Sequence, residues 1–457
     1  MAQRLLLISY YFAPRNAIGA VRPTKLAKYL TRMGYEVTVL CAQPYTRQRD
    51  PVLQRDMAGV HAVRVVRERS LLRWWKERGQ AEPPTPALTE RKHLPSEGAR
   101  DAAQDAGAKP LVPAPQPPPV RKAASRAHRV LDALYRWLTF TADAAFARAC
   151  LRELDTMGQL FDVVISTYGP HSVHTVARKA KAAGVAARWI ADFRDELTVP
   201  FRWMQGFQAR YLRRVRAQAD AITAVSAGFL KMMGLDGLGH VVPNGFDRED
   251  AALCEAITLP GDALHFAYCG HIYPGQADLG PVFAAIRALA DQGACDPKRL
   301  RFHYAGSEGA VFRAAAAREG LADAVVDHGL VSRARSVGLQ QAADALLAAT
   351  WNNARRVGVV TGKLMEYLMA GKPILLCVQG EIPGSDARAI IEETHTGTVY
   401  EQACATADIK ALQAALLALY QAKMAGAPLP YAPDAQAVQQ YDYASIAGAF
   451  ARLIDNA

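Results

Sequence analysis

Paired cysteines are missing from this 457-residue chain. Its seven cysteines (Cys41, Cys150, Cys254, Cys269, Cys295, Cys377 and Cys404) never form a C-x-x-C pair, so neither a cysteine zinc site nor a disulfide framework is indicated. They read as buried thiols in a reducing compartment. The first apolar run is not followed by G-x-G-x-x-G, which disfavours a Rossmann dehydrogenase. No Asp-x-Asp pair is present, so no divalent metal is required. No apolar run approaches the length of a membrane span. Arg4 followed by Leu5 to Ile8 and Tyr10 to Phe12 mimics a signal sequence, but a small-residue cleavage site is lacking and the run reads as a first core strand. Acidic residues are the scarcer charge, 43 against 54 basic ones, for a net charge of +11. That sign implies acidic partners: nucleic acid, anionic lipid or a phosphorylated small molecule. The expected location is cytoplasmic, or peripheral on the inner face of the plasma membrane.

What is present is apolar content of 51% in a chain too long for one ordinary core, which fits two α/β domains. Arg4 to Ser9 predicts a strand, Arg22 to Met33 a helix ended by Gly34, and Glu36 to Cys41 the next strand. This βαβ opening implies a parallel sheet. From about 79 to 125 the composition turns to Pro, Ala and charge, a disordered insertion in the first domain. Strand and helix patterns resume at Arg129 and continue to Val225. A second set of βα units starts after Asn244-Gly-Phe-Asp247. The predicted division is 1–245, 246–430, and a C-terminal helix in 431–457 that returns to the first domain. Two doubly wound Rossmann-like domains then face a central cleft, with ligands at the carboxyl ends of the strands.

The stretch from Thr361 to Leu376 reads as a loop, a helix start, a Gly stop at Gly371 and a buried strand. Lys363 falls in the first helical turn, where free N–H groups already favour negative charge, and Glu366 lies one turn on. A cation at a helix start is misplaced unless an anion joins it. The pattern points to a phosphate-bearing ligand, with Glu366 accepting hydrogen bonds from sugar hydroxyls.

Five phrases in order, Tyr10-Tyr-Phe-Ala-Pro14 with Gly19, Ser166-Thr-Tyr-Gly-Pro-His-Ser172, Ala191-Asp-Phe-Arg-Asp195, Pro243-Asn-Gly-Phe-Asp247 and the Thr361 segment, resemble glycosyltransferase family 4. These are retaining GT-B sugar-nucleotide transferases, and the likeness is to those that build bacterial surface polysaccharides. The resemblance implies a nucleoside-diphosphate sugar as donor, no further cofactor, and a glycan or polyprenyl-diphosphate-linked acceptor. It places Gly19, Arg22, His271, Gly358, Val359, Val360, Lys363 and Glu366 at the donor. His171, Asp192 and Asp195 fall on the catalytic and acceptor side, and Asn244 at the hinge. Glu366 matches the second acid of the family's E-x7-E motif, a ribose clamp, while the first acid falls on Gly358. The loop Gly270 to Asp278 lacks the family's basic pair, so His271, Lys363 and the Arg355-Arg356 pair are the candidate cations near the leaving diphosphate.

Each residue also has a plainer reading. Gly19 makes a turn, Arg22 is a solvated charge, His171 a loop residue, Asn244 a turn cap, and Asp192 and Asp195 partners of Arg194. Two basic stretches interleaved with aromatics, Arg64 to Arg78 and Arg202 to Arg216, suit an anionic membrane surface. Nucleic acid is not expected. The competing functions are a sugar-nucleotide 2-epimerase and a catalytically degenerate binding or scaffold subunit.

Overall fold

β-Branched and aromatic runs bounded by Gly turns become thirteen strands among the described residues, which in this computed structural model are 2–44, 49–79, 126–195, 199, 201–273 and 275–456. The expected insertion therefore lies outside the described residues from position 80 to 125. In the first domain the strands are β1 (Arg4–Ser9), β2 (Glu36–Ala42), β3 (Ala62–Val66), β4 (Phe161–Thr167), β5 (Ala186–Phe193), β6 (Ala221–Ala224) and β7 (His240–Val241). In the second they are β8 (Leu264–Cys269), β9 (Leu300–Ala305), β10 (Val325–Asp327), β11 (Ala345–Trp351), β12 (Ile374–Gln379) and β13 (Gly397–Glu401).

The first sheet runs β3-β2-β1-β4-β5-β6-β7 and the second β10-β9-β8-β11-β12-β13. Every pairing is parallel, with β1 flanked by β2 and β4 and β8 flanked by β9 and β11. Parallel strands bury both faces, and β1 shows it: Leu6 and Ile8 enter the core with Phe146 and Val176, Leu5 and Leu7 the core with Leu26 and Phe450. In the second domain Phe266 and Tyr268 pack with Phe283 and Phe302, while Ala267 faces Leu364 and Leu368.

Two departures from the sequence reading have simple causes. The helix Asp386–Thr394 and edge strand β13 were not expected, because β13 is short and buries only Val399 and Glu401. The segment Gln402–Met424 is long and apolar enough to cross a membrane by composition, correcting the expectation that no such run exists. Its Leu412, Leu416 and Leu419 pack into the second core.

The domains are joined by charge as well as chain. The helix Ile18–Arg32 buries Lys25 and Lys28 on one face. Lys25 Nζ meets Asp56 and Asp247 at 2.6 Å and Asp250 at 2.7 Å, and Lys28 Nζ meets Asp247 and Glu249 at 2.7 Å. Asp56, Asp247 and Asp250 lie close enough to one another to resemble a metal cluster, and the ammonium of Lys25 is bonded to all three. The pair of lysines holds the Asp247 carboxyl below the usual range although burial alone would raise it. The last helix, Tyr443–Asn456, lays Ile446, Phe450 and Ile454 against Leu26 and Leu30 of the first domain.

Candidate active site

Strand order reverses between β1 and β4 in one sheet and between β8 and β11 in the other. Loops leaving these strands diverge there and open a crevice at their carboxyl ends. A cleft of about 230 Å³ lies between the domains, lined by Gly19, Arg22, Asp195 and Asn244 from the first and Val360 and Glu366 from the second. Six of the residues singled out in sequence thus converge. A larger cavity of about 620 Å³ adjoins it within the first domain, with Asp195 common to both and His171 on its wall.

Arg22 and Asp192 do not fit the ligand roles expected of them. Arg22 Nε and Nη2 grip the Asp192 carboxylate at 3.0 and 2.8 Å, and the guanidinium also donates to the carbonyls of Pro243, at 2.6 Å, and Val242, at 2.9 Å. Both side chains are buried, and Thr223 Oγ1 donates to Asp192 at 2.8 Å. Burial would raise this carboxyl, but Arg22 holds it below the ordinary carboxylate range. The pair is a strut that fixes the first helix to β5 and to the linker at Asn244. Asp195, by contrast, is 62% exposed, with Arg194 Nε 4.0 Å away. Arg194 itself donates to the carbonyls of Gly19 and Tyr168, so of the predicted Asp192–Arg194–Asp195 network only the Arg194–Asp195 pair remains, beside a clamp on the Gly19 loop.

His171 sits in an aromatic frame. Its ring stacks on Phe140 at 5.0 Å and meets Phe207 edge-on at 5.7 Å, while its Nδ1 lies 3.5 Å from Asp143. Burial raises the Asp143 carboxyl, and His171 opposes that shift.

On the second domain, Lys363 reaches back from the helix Gly362–Ala370 to the end of β8. Its Nζ donates to Tyr268 Oη at 2.7 Å and to the carbonyl of His271, and stands 4.2 Å over the Tyr268 ring. Burial lowers the ammonium to about 8. Gly270 has φ +114°, and a Cβ there would stand 2.7 Å from Lys363 Cε. The lysine thus occupies the side of a loop that has no basic residue of its own. Glu308, which the sequence reading missed, organises the rest. Its carboxylate accepts from the Ile272 amide at 3.1 Å, Tyr304 Oη at 3.0 Å and Ser307, and pairs with His271 Nδ1 at 2.7 Å. Desolvation opposes ionisation, but these donors lower its pKa to about 2. Its position after β9, ahead of the helix Gly309–Ala317, was the signal available in sequence.

Gly358, where the family pattern has an acid, has a structural task. It adopts φ +74°, and a Cβ would meet Phe229 N and Ser226 Oγ at 2.6 Å. Ser226 Oγ donates to the Gly358 carbonyl at 3.0 Å, and Thr350 Oγ1 to that of Val359 at 3.2 Å. These bonds engage the carbonyls of Gly358 and Val359, whereas the groups expected at the donor are the backbone amides of residues 358 to 360. Val360 lines the cleft. Glu366 faces Gln340 at 3.5 Å and Arg333 at 3.9 Å, and Arg333 also pairs with Asp250 at 3.0 Å. Arg333 lines the cleft, and no sequence pattern marked it.

No protein-family model and no curated protein sequence matches the chain. Solved structures do. Sucrose-phosphate synthase from Thermosynechococcus elongatus is similar at 13% identity and TM-score 0.55, over 99% of this chain and 98% of that one. The N-terminal domain of Candida albicans trehalose-6-phosphate phosphatase is similar at 10% identity and TM-score 0.56, over 100% and 97%. A UDP-N-acetylglucosamine 2-epimerase aligns at 13% identity and TM-score 0.43, over 96% and 94%. The two parallel sheets with interleaved helices, facing each other across the cleft, are the GT-B fold.

Proposed function

We propose that the protein is a retaining glycosyltransferase that moves a sugar from a nucleoside diphosphate to a glycan or polyprenyl-diphosphate-linked acceptor in polysaccharide biosynthesis. The observation that carries this reading is the convergence in one cleft of Gly19, after β1, and Asn244, after β7, with Val360, Gly362 and Glu366, after β11. Glu366 offers two acceptor oxygens to the vicinal hydroxyls of a ribose, and Arg333 holds it in place. The N-terminus of the helix Gly362–Ala370 and the Lys363 ammonium supply positive charge for the leaving diphosphate. His271, held by Glu308, adds an imidazole on the same side.

The acceptor approaches through the first-domain cavity past His171 to Asp195, the exposed carboxylate shared with the donor cleft. Asp195 takes the acceptor's proton in this reading. With Asp192 committed to Arg22, attack on the same face as the departing phosphate is the route to retention that the geometry favours. No step calls for a metal. A peripheral position at the membrane's inner face accords with Leu71, Trp74 and Trp75 exposed on the helix Leu71–Gly79, and Val130, Leu131, Leu134 and Trp137 exposed on the helix Arg126–Met157.

Incubation with a panel of nucleoside-diphosphate sugars, followed by mass spectrometry, tests the reading. Slow release of free sugar, or transfer when acceptor is added, is the expected result. An isomerised donor would replace it with epimerisation, and binding without turnover with a scaffold role.

A further inference from the structure

On the far side of His171 from the cleft, a groove of about 360 Å³ runs between the helices Arg126–Met157, Ser172–Ala182 and Gln205–Gln218. Its floor is apolar, including Ala147, Leu151 and Val215, and Phe207 and Tyr211 form an aromatic wall. Arg148, Arg178, Lys179, Arg210 and Arg214 line it, and no carboxylate does. Neither of the two shorter helices contains an acidic residue. None of the five cations has an ion pair among the described residues, whereas Lys181, on the same helix as Arg178 and Lys179, pairs with Asp220 at 2.6 Å. Five like charges around one small groove repel one another unless an anion joins them.

Two further observations in the groove's lining point the same way. Ser172 Oγ and His174 Nε2 are buried without a hydrogen-bond partner, and both residues line the groove. Trp189 Nε1 donates to Ser166 Oγ at 2.7 Å, and Ser166 Oγ shares a hydrogen bond with His174 Nδ1, also at 2.7 Å, which leaves Nε2 as the ring nitrogen without a partner. Burial lowers this imidazole to about 3, so it is neutral. The helix Ser172–Ala182 also begins with no side-chain cap and no acid in its first turn.

We propose that this groove is a second anion site, separate from the donor cleft, which takes the phosphate or diphosphate head of an amphiphile whose apolar chain lies along Ala147, Leu151 and Val215. Guanidinium groups on three helices suit a diphosphate, which accepts several charge-assisted hydrogen bonds at once. The groove meets the first-domain cavity at Phe140 and His171, residues common to both linings. That continuity assigns the amphiphile to the acceptor rather than to bulk lipid. This assignment rests on the transferase reading; the anion site does not.

Farnesyl diphosphate and inorganic diphosphate serve as probes, measured by titration calorimetry at low salt on the full chain. The wild type is expected to bind farnesyl diphosphate the more tightly of the two. Arg178→Gln/Arg210→Gln/Arg214→Gln, at side chains wholly or partly in solvent, should weaken both by about tenfold or more. Phe207→Ser should weaken only the farnesyl compound. UDP, GDP and ADP binding should be unchanged in both variants, and this arm reports on the donor cleft independently. Farnesyl diphosphate that fails to bind, that ignores the arginine variant, or that is displaced by a nucleotide overturns the proposal. So does loss of binding to phosphatidylglycerol vesicles in the variant when the free diphosphate never bound, which would make the groove a headgroup surface.

Discussion

The first domain holds basic side chains in two ways. On the helix Ile18–Arg32, Lys25 and Lys28 are buried among four carboxylates and spend their charge on holding the domains together. In the groove beside Ser172–Ala182, five cations gather with no acid in its lining. The same residue types are structural where their charge is matched and available to a ligand where it is not. The donor cleft lies between these extremes. Arg22 is taken up by Asp192 and by the carbonyls of Val242 and Pro243, whereas Lys363, next to the cleft-lining Gly362, is held only by a phenol and a carbonyl and keeps capacity for an anion.

The strongest way to break this comparison is Lys25→Met. It leaves Asp56, Asp247 and Asp250 as buried carboxylates without their central cation, and a loss of about 3–5 kcal/mol is expected in chemical denaturation. A change below about 1 kcal/mol would mean the joint is not structural. Gly358→Ala comes next. Its Cβ would strike Ser226 Oγ and the Gly228–Phe229 backbone in a left-handed conformation, so a loss of about 1–3 kcal/mol is expected, with the domain contact loosened as read by hydrogen exchange at Phe229.

Histidines matched by hydrogen bonds instead of charge give the pH prediction. His265 on β8, His303 on β9 and His328 just after β10 form a chain at 2.9 and 3.0 Å, and burial lowers all three, His303 to about 4. Each takes up a proton in the unfolded chain near pH 6.5 but resists it when folded. Stability is therefore full above about pH 6.5 and falls as the pH drops towards 4, by at most about 1.4 kcal/mol per pH unit for each imidazole. Melting temperatures from pH 7.5 to 4.5 should show the decline, and His303→Phe should flatten it.

Glu366→Ala tests the opposite side, a charge kept for a ligand. Nucleotide binding by calorimetry should weaken by about tenfold while the melting temperature holds, since the side chain is one-third exposed. Loss of soluble protein would make Glu366 structural. The smallest effect belongs to Arg32→Ala, whose pair with Glu249 lies half in water at the edge of the same joint. Denaturation should register less than about 1 kcal/mol.

The fold was legible because its signals are local: apolar runs of strand length, Gly371 in the left-handed position after the helix Gly362–Ala370, and Gly34 after Ile18–Arg32. Parallel burial of β1 on both faces follows from its unbroken Leu-Leu-Leu-Ile. The cleft was legible in part, since Gly19, Asn244, Val360 and Glu366 stand at strand ends where such a fold collects ligands. What could not be read was pairing across long stretches of chain. Nothing near Asp192 in sequence announces Arg22, 170 positions away, and nothing near Gly358 announces Ser226. Glu308 and Arg333 act only through partners distant in sequence, so their roles appear once the chain is folded.

The last helix carries a consequence for how the molecule comes into being. Residues 443–456 close a core opened by residues 5–30, and the whole second domain is translated between them. Until the ribosome has delivered that helix, Leu26 and Leu30 lack part of their cover, so the domain begun first is completed last. A nascent chain stalled after Met424 should accordingly expose an apolar face to chaperones, while its second sheet already has every strand and the cover of Leu412, Leu416 and Leu419.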